Sequence, residues 1–177
     1  MFIDLLRSRR SIRQFEPRPV EQAKVDLLVE AALRSPSSRG FNPWEFVVVD
    51  NPELIDRLSK AKPHGASFLA KAPLAVVVCA DPEKSDVWVE DVSIATLVLH
   101  LAATDLGLGS CWIQLRKRNY DETLTAGEYA ARVLGLRDGL EVSAIMAMGY
   151  PAQQPAPHPA SSLQHDKVSV NRYGRSE

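Results

Sequence analysis

The stretch from Trp88 to Leu106 constrains the fold most, because it is apolar on most of its sides. A helix of that kind needs cover from several directions, so it lies centrally or at a subunit interface. His100 and Asp105 interrupt its apolar run from Val92 to Leu106, which is too short and too polar to cross a bilayer. Gly107 and Gly109 end the helix.

Strands supply the covering layer. Glu45–Asp50 (EFVVVD), Leu74–Ala80 (LAVVVCA), Cys111–Leu115 and Val142–Met148 read as strands, and the unbroken apolar content of LAVVVCA marks a buried one. Shorter helices are expected at Phe2–Arg9, Val20–Arg34, Pro52–Ala61 and Ala126–Leu134. Ala23, Leu27, Leu28, Ala31 and Ala32 form the apolar stripe of the second. Helices and strands mix without strict alternation, which favours an α+β fold.

The length, 177 residues, suits one domain over residues 1–150. A cofactor site between two domains of one chain is then not expected, and one between two copies of the chain stays open. Beyond Gly149-Tyr150-Pro151 the segment PAQQPAPHPASS holds few large apolar residues. Residues 151–177 read as an extended arm packing on the domain or on a partner subunit, with Val168, Val170 and Tyr173 as anchors.

A net charge of −1 gives no global attraction for nucleic acid or an anionic membrane, so any anion must be held by a local cluster. Cys79 and Cys111 sit in apolar runs and offer neither a disulfide framework nor metal spacing. That suits a reducing compartment, and the N-terminus, with Asp4 and no long apolar run, does not read as a signal peptide. The expectation is a cytoplasmic protein.

Arg7, Arg9, Arg10 and Arg13 crowd into one short segment with Ser8 and Ser11 between them. Their mutual repulsion is relieved by an anion, and the guanidinium fork matches phosphate oxygens. The same residues also fit a solvated basic helix end that complements the helix dipole. Spacing alone leaves both readings open.

Arg9-Arg10-Ser11-Ile12-Arg13-Gln14-Phe15 resembles the R-R-S-x-R-x-F signature of nitroreductase-like flavoproteins. Ser35-Pro36-Ser37-Ser38-Arg39-Gly40-Phe41-Asn42-Pro43-Trp44-Glu45-Phe46 resembles the family's A-P-S-x-x-N-x-Q-P-W-x-F. Two positions depart from it: Gly40 stands for an asparagine, and Asn42 for a glutamine whose amide it keeps. Leu106–Gln114 resembles L-G-L-G-S-x-W, and Gly149-Tyr150-Pro151 matches a closing G-Y-P. The matches run in order from about residue 9 to 151.

The resemblance implies a nitroreductase-like fold, a central mixed or antiparallel sheet flanked by helices, with the C-terminal arm exchanged in a dimer. It implies FMN at the subunit interface and NADH or NADPH as electron donor. Arg9, Arg10 and Ser11 would hold the phosphate and ribityl chain, and Arg13 would sit at the pyrimidine edge of the ring and favour its reduced state. Ser37, Ser38 and Asn42 would reach the flavin held by the other subunit. Trp112, Ile113 and Gln114 would pass the ring with their backbone, the glycines before them allowing close approach. Of the tail's His158, Lys167 and Arg172, Arg172 would reach the phosphate. Trp44 and Phe41 are candidates to line an open ring face, though both also suit plain packing.

Other motifs fall away. Gly107-Leu108-Gly109 lacks the third small residue and the strand-then-helix order of a dinucleotide fingerprint. His64, His100, His158 and His165 show no metal-ligand spacing, so no metal is expected, and His100 reads as a hydrogen-bonded core histidine. Glu90-Asp91 and Asp121-Glu122 do not share a helix face, and no serine elbow is present. Without a catalytic side chain, the chemistry falls to the cofactor. The expected function is ping-pong reduction of small, flat aromatic acceptors such as nitroaromatics and quinones. The alternatives are flavin reduction, dehalogenation or dehydrogenation in the same superfamily, or a non-enzymatic phosphate-ligand module.

Overall fold

The computed structural model describes residues 1–174. Five α-helices, α1 (Phe2–Ser8), α2 (Gln22–Leu33), α3 (Pro52–Ser59), α4 (Trp88–Asp105) and α5 (Ala126–Leu134), surround four strands, β1 (Trp44–Val49), β2 (Leu74–Ala80), β3 (Gly109–Gln114) and β4 (Glu141–Gly149). The sheet order is β1-β2-β4-β3, and every pairing is antiparallel.

The sheet is covered on both faces. Val77, Cys79, Ile113 and Ile145 pack toward α3 and α5, while Val76, Val78, Met146 and Met148 pack toward α2 and α4. Alternate residues of β2 therefore meet different cores, which is why LAVVVCA has no polar position.

Two helices carry clear boundary signals. Asn51 caps α3, accepting from the backbone N–H of Glu53 and Leu54, and Pro52 sits where its missing N–H costs nothing. Thr125 and Glu128 form a reciprocal capping box at α5, and Gly135 closes that helix in the left-handed region.

The stripe of α2 differs from the sequence expectation. Val25, Leu28 and Ala32 face the core, whereas Ala23 and Leu27 are exposed and Ala31 is half-buried. The apolar residues of α2 contain two overlapping sets at helical spacing, and the sheet selects the one centred on Leu28. The long helix α4 lies on the sheet through Val92, Ala95, Leu99 and Ala103, leaving Ile94 and Leu97 exposed. The arm leaves the domain with two single 3-10 turns, at Ala160–Ser162 and His165–Lys167.

Candidate functional site

The cationic turn is laid along the start of β3. Ser11 bridges Ser110 in parallel, and the Ile12 N–H donates to the Ser110 carbonyl at 2.9 Å. Further along, Phe15 bridges Pro151, the Glu16 N–H donates to the Tyr150 carbonyl at 2.9 Å, and the Ala152 N–H donates to the Gln14 carbonyl at 3.0 Å. Ile12 and Phe15 are buried in the core, so Arg13 and Gln14 face outward. The apolar positions of the R-R-S-x-R-x-F segment are thus anchors that aim its polar ones.

Two glycines make room for this strip. A Cβ on Gly109 would lie 2.8 Å from Ile12 Cβ, and one on Gly149 would lie 2.6 Å from Pro73 Cδ and 3.2 Å from Phe15 Cδ1. Gly107 and Gly109 are both expected from sequence to end α4 and to let backbone approach a ring. Only Gly107 sits at the helix end, with φ +73°; Gly109 is already in β3, and the space beside it is taken by Ile12.

β3 is an edge strand, and its outer side carries the rest of the site. Ser110 turns its carbonyl outward to Ile12, and antiparallel alternation then turns the backbone of Trp112 and Gln114 outward as well. The Gln114 carbonyl accepts from Lys62 Nζ at 3.1 Å. Ile113 buries its side chain in the core, so it can serve the site only through its backbone. The Trp112 indole donates to Gln114 Oε1 at 2.9 Å, which fixes both side chains.

This edge gathers several cations that form no ion pair. Arg7, Arg18, Arg34, Arg39, Lys60 and Arg137 each pair with a carboxylate. Among the described residues Arg9, Arg10, Arg13 and Lys62 have no such ion pair. Arg9 instead meets His100, Arg10 donates to the Ala156 carbonyl, and Arg13 lies 5.9 Å from the Phe68 ring centroid. Burial, and then Arg118, lower the pKa of Lys62. At Cys111, burial raises the thiol, opposed by Arg13, a hydrogen bond from Ser11 and Lys62. Cys79 is driven by burial up to about 12, as befits an inert core thiol. A row of cationic donors with a serine among them fits a phosphorylated ligand laid along the edge.

Lys62 escaped the sequence reading because it belongs to no motif; only the fold brings the segment after α3 against β3. His100 is a buried, hydrogen-bonded histidine, and its ring contacts both Arg9 and Ser110.

Ser37, Ser38 and Asn42 lie elsewhere. Their loop leads into β1 at the opposite edge of the sheet, separated from β3 by β2 and β4, roughly 14 Å across at ordinary strand spacing. Asn42 sits at φ 46°, and its N–H donates to Ser37 Oγ at 2.9 Å. The Ser38 N–H donates to Asp91 Oδ1 at 2.8 Å, and Ser85 Oγ donates to the other oxygen of this buried carboxyl at 2.9 Å. The Trp44 indole N–H, at the loop's exit, is buried without a partner among the described residues. This loop and the Arg9–Arg13 turn thus lie at opposite edges of the sheet. In the arm, His158 shares a cavity of 540 Å³ with Arg7 and Arg9, lined also by Ile3, Leu6 and Leu163. Arg172 is exposed, and its side chain has no hydrogen bond among the described residues.

Comparison with known proteins bears on this arrangement. The model of the nitroreductase family matches residues 6–63 and 60–150. A protein of Archaeoglobus fulgidus, provisionally named NADH dehydrogenase/NAD(P)H nitroreductase, is 34% identical over 156 residues, covering 86% of each chain. The solved structure of an FMN-dependent nitroreductase from Clostridium difficile superposes with a TM-score of 0.95 at 43% identity, over 97% of this chain and 99% of that one. A Parabacteroides distasonis structure bearing the same provisional name as the archaeal protein reaches 0.88 at 31% identity, over 97% and 98%.

Proposed function

The chain belongs to the nitroreductase family, and from that premise we propose that it is an FMN-dependent oxidoreductase taking electrons from NADH or NADPH. One observation carries the reading. Three guanidinium groups, Arg9, Arg10 and Arg13, none of them in an ion pair among the described residues, flank Ser11, and their segment is stitched to the start of edge strand β3.

In this reading Arg9, Arg10 and Ser11 hold the phosphate and ribityl chain. The outward backbone of Trp112 and Gln114 flanks the ring, Arg13 and Lys62 stand at its pyrimidine edge, and Ile113 contributes only main chain. Arg172 adds a cation from the arm. Bound FMN supplies hydride acceptance from the nicotinamide and delivery to the acceptor. The protein's own groups orient the ring, keep a positive field beside it and leave one face open. Donor and acceptor then use that face in turn, a ping-pong scheme that suits small, flat aromatic acceptors.

The loop with Ser37, Ser38 and Asn42 joins the site from a second copy of the chain. Its position at the far edge of the sheet favours this arrangement, as do the exposed apolar residues of α1 (Phe2, Ile3), α4 (Ile94, Leu97) and the arm (Leu163, Val168, Tyr173). In such a homodimer residues 1–150 form the body, and the arm from residue 151 crosses to the partner; its last three residues lie outside the described ones. Isolated protein is expected to be yellow and to release FMN on heating. The combined variant Arg9→Ala, Arg10→Ala, Ser11→Ala is expected to fold but to lose its flavin; full flavin occupancy in that variant sinks the reading.

A further inference from the structure

His100 lies in α4 with 7% of its surface exposed. Its Nε2 stands 2.8 Å from Arg9 Nη1, and its Nδ1 meets Ser110 Oγ. A guanidinium has only donors, so Nε2 must be the acceptor. The ring's single hydrogen is then on Nδ1 and is donated to Ser110. This fixes one neutral tautomer, and burial together with the Arg9 charge holds the pKa to about 4, so the ring stays neutral near pH 7. Ser110 is also the residue whose carbonyl receives the Ile12 N–H and whose backbone bridges Ser11. One imidazole thus ties Arg9 to the strand that carries Ser11.

The choice of partner matters chemically. A carboxylate at this place would cancel the charge of Arg9 and compete with an incoming anion. A neutral imidazole fixes the guanidinium by one corner and leaves its charge intact. No other hydrogen bond engages the Arg9 side chain among the described residues, so its remaining N–H groups are free.

We propose that His100 is a positioning residue that holds the Arg9 guanidinium so that its free N–H groups meet the phosphate of FMN in a fixed orientation. The proposal rests on the reading of the turn as a phosphate grip. Preorganising the fork lowers the ordering cost that binding would otherwise carry.

The test uses two flavins on the full-length apoprotein, FMN and riboflavin, which lacks the phosphate, with dissociation constants read by flavin fluorescence. His100→Asn keeps a polar contact to Ser110 but is too short to reach Arg9, whereas His100→Gln is long enough to accept from it. His100→Asn is expected to weaken FMN roughly tenfold, the scale of one hydrogen bond to a charged group, and riboflavin by less than about twofold. His100→Gln is expected to restore FMN affinity to within about threefold of wild type. On an Arg9→Ala background, His100→Asn is expected to add nothing, as for two residues acting through one contact. If His100→Asn does not fold, His100→Met, which has the length of glutamine and no strong acceptor, takes its place. Equal losses for both flavins, losses additive with Arg9→Ala, or native FMN affinity in both His100→Asn and His100→Met overturn the proposal. Wild-type protein that ignores FMN, or Arg9→Ala that binds it normally, overturns the phosphate-grip reading and this proposal with it. Weakening by Arg9→Ala alone removes only the role of His100.

Discussion

At the residue scale, the space beside Gly109 is more informative than its flexibility. Ile12 fills the volume a side chain would need, and Ile12 precedes the outward-facing Arg13. Gly109→Ala must push Ile12 aside, at a cost of about 1–3 kcal/mol typical of overpacking. The displacement passes to the strip, so FMN affinity is expected to fall with stability, measured by urea unfolding and flavin titration on the same samples. Arg13 makes a different prediction. It pairs with no carboxylate among the described residues, and its charge reaches Cys111 on β3. Arg13→Ala removes a fixed cation from the ring's edge, an effect on the order of 2–4 kcal/mol for a well-placed donor, and lowers the flavin midpoint potential. Spectroelectrochemistry checks this, and an unchanged potential with FMN still bound removes Arg13 from the role. The motif residues themselves were legible, since Arg9, Arg10, Ser11 and Arg13 carry the resemblance. What Ile12, Gly109 and Gly149 do was not, because close packing between segments distant in sequence leaves no local pattern.

At the element scale, α4 joins structure to pH. His100 is lowered from its ordinary value of 6.5 to about 4, first by burial and then by Arg9. The folded state therefore favours the neutral ring, and the unfolded chain binds the proton more readily between these values. The stability this contributes is present above pH 6.5 and is lost as pH falls toward 4, by on the order of 3 kcal/mol over the full interval. Urea unfolding of the apoprotein at pH 7 and pH 4.5 checks the sign. Wild type is expected to lose more stability than His100→Gln, which has no proton to take up. The existence of β2 followed from an unbroken apolar run, and that of α4 from a long stretch apolar on most sides. The facing of α2 did not, because two sets of apolar residues satisfied the same helical spacing and only the sheet could choose between them.

At the scale of the whole molecule, strand order decides what one chain can complete by itself. The segments around Arg9 and around Ser37 are both recognisable in sequence, but the order β1-β2-β4-β3 sets them on opposite edges. Nothing local in either segment announces that separation, just as nothing near Lys62 announces its approach to Gln114. Two chains that share sites across opposite edges carry a testable arithmetic. A first variant, Arg9→Ala, Arg10→Ala, Ser11→Ala, spoils the half of each site on β3. A second, Ser37→Ala, Asn42→Ala, spoils the half before β1. Either alone leaves every site damaged, whereas a mixed pair gathers both defects into one site and leaves its twin native. Unfolding the two inactive proteins together and refolding them is expected to restore about one native site in four under random pairing, seen as returning bound flavin and turnover. No recovery from a mixture that does form mixed pairs would mean that each chain builds its site alone.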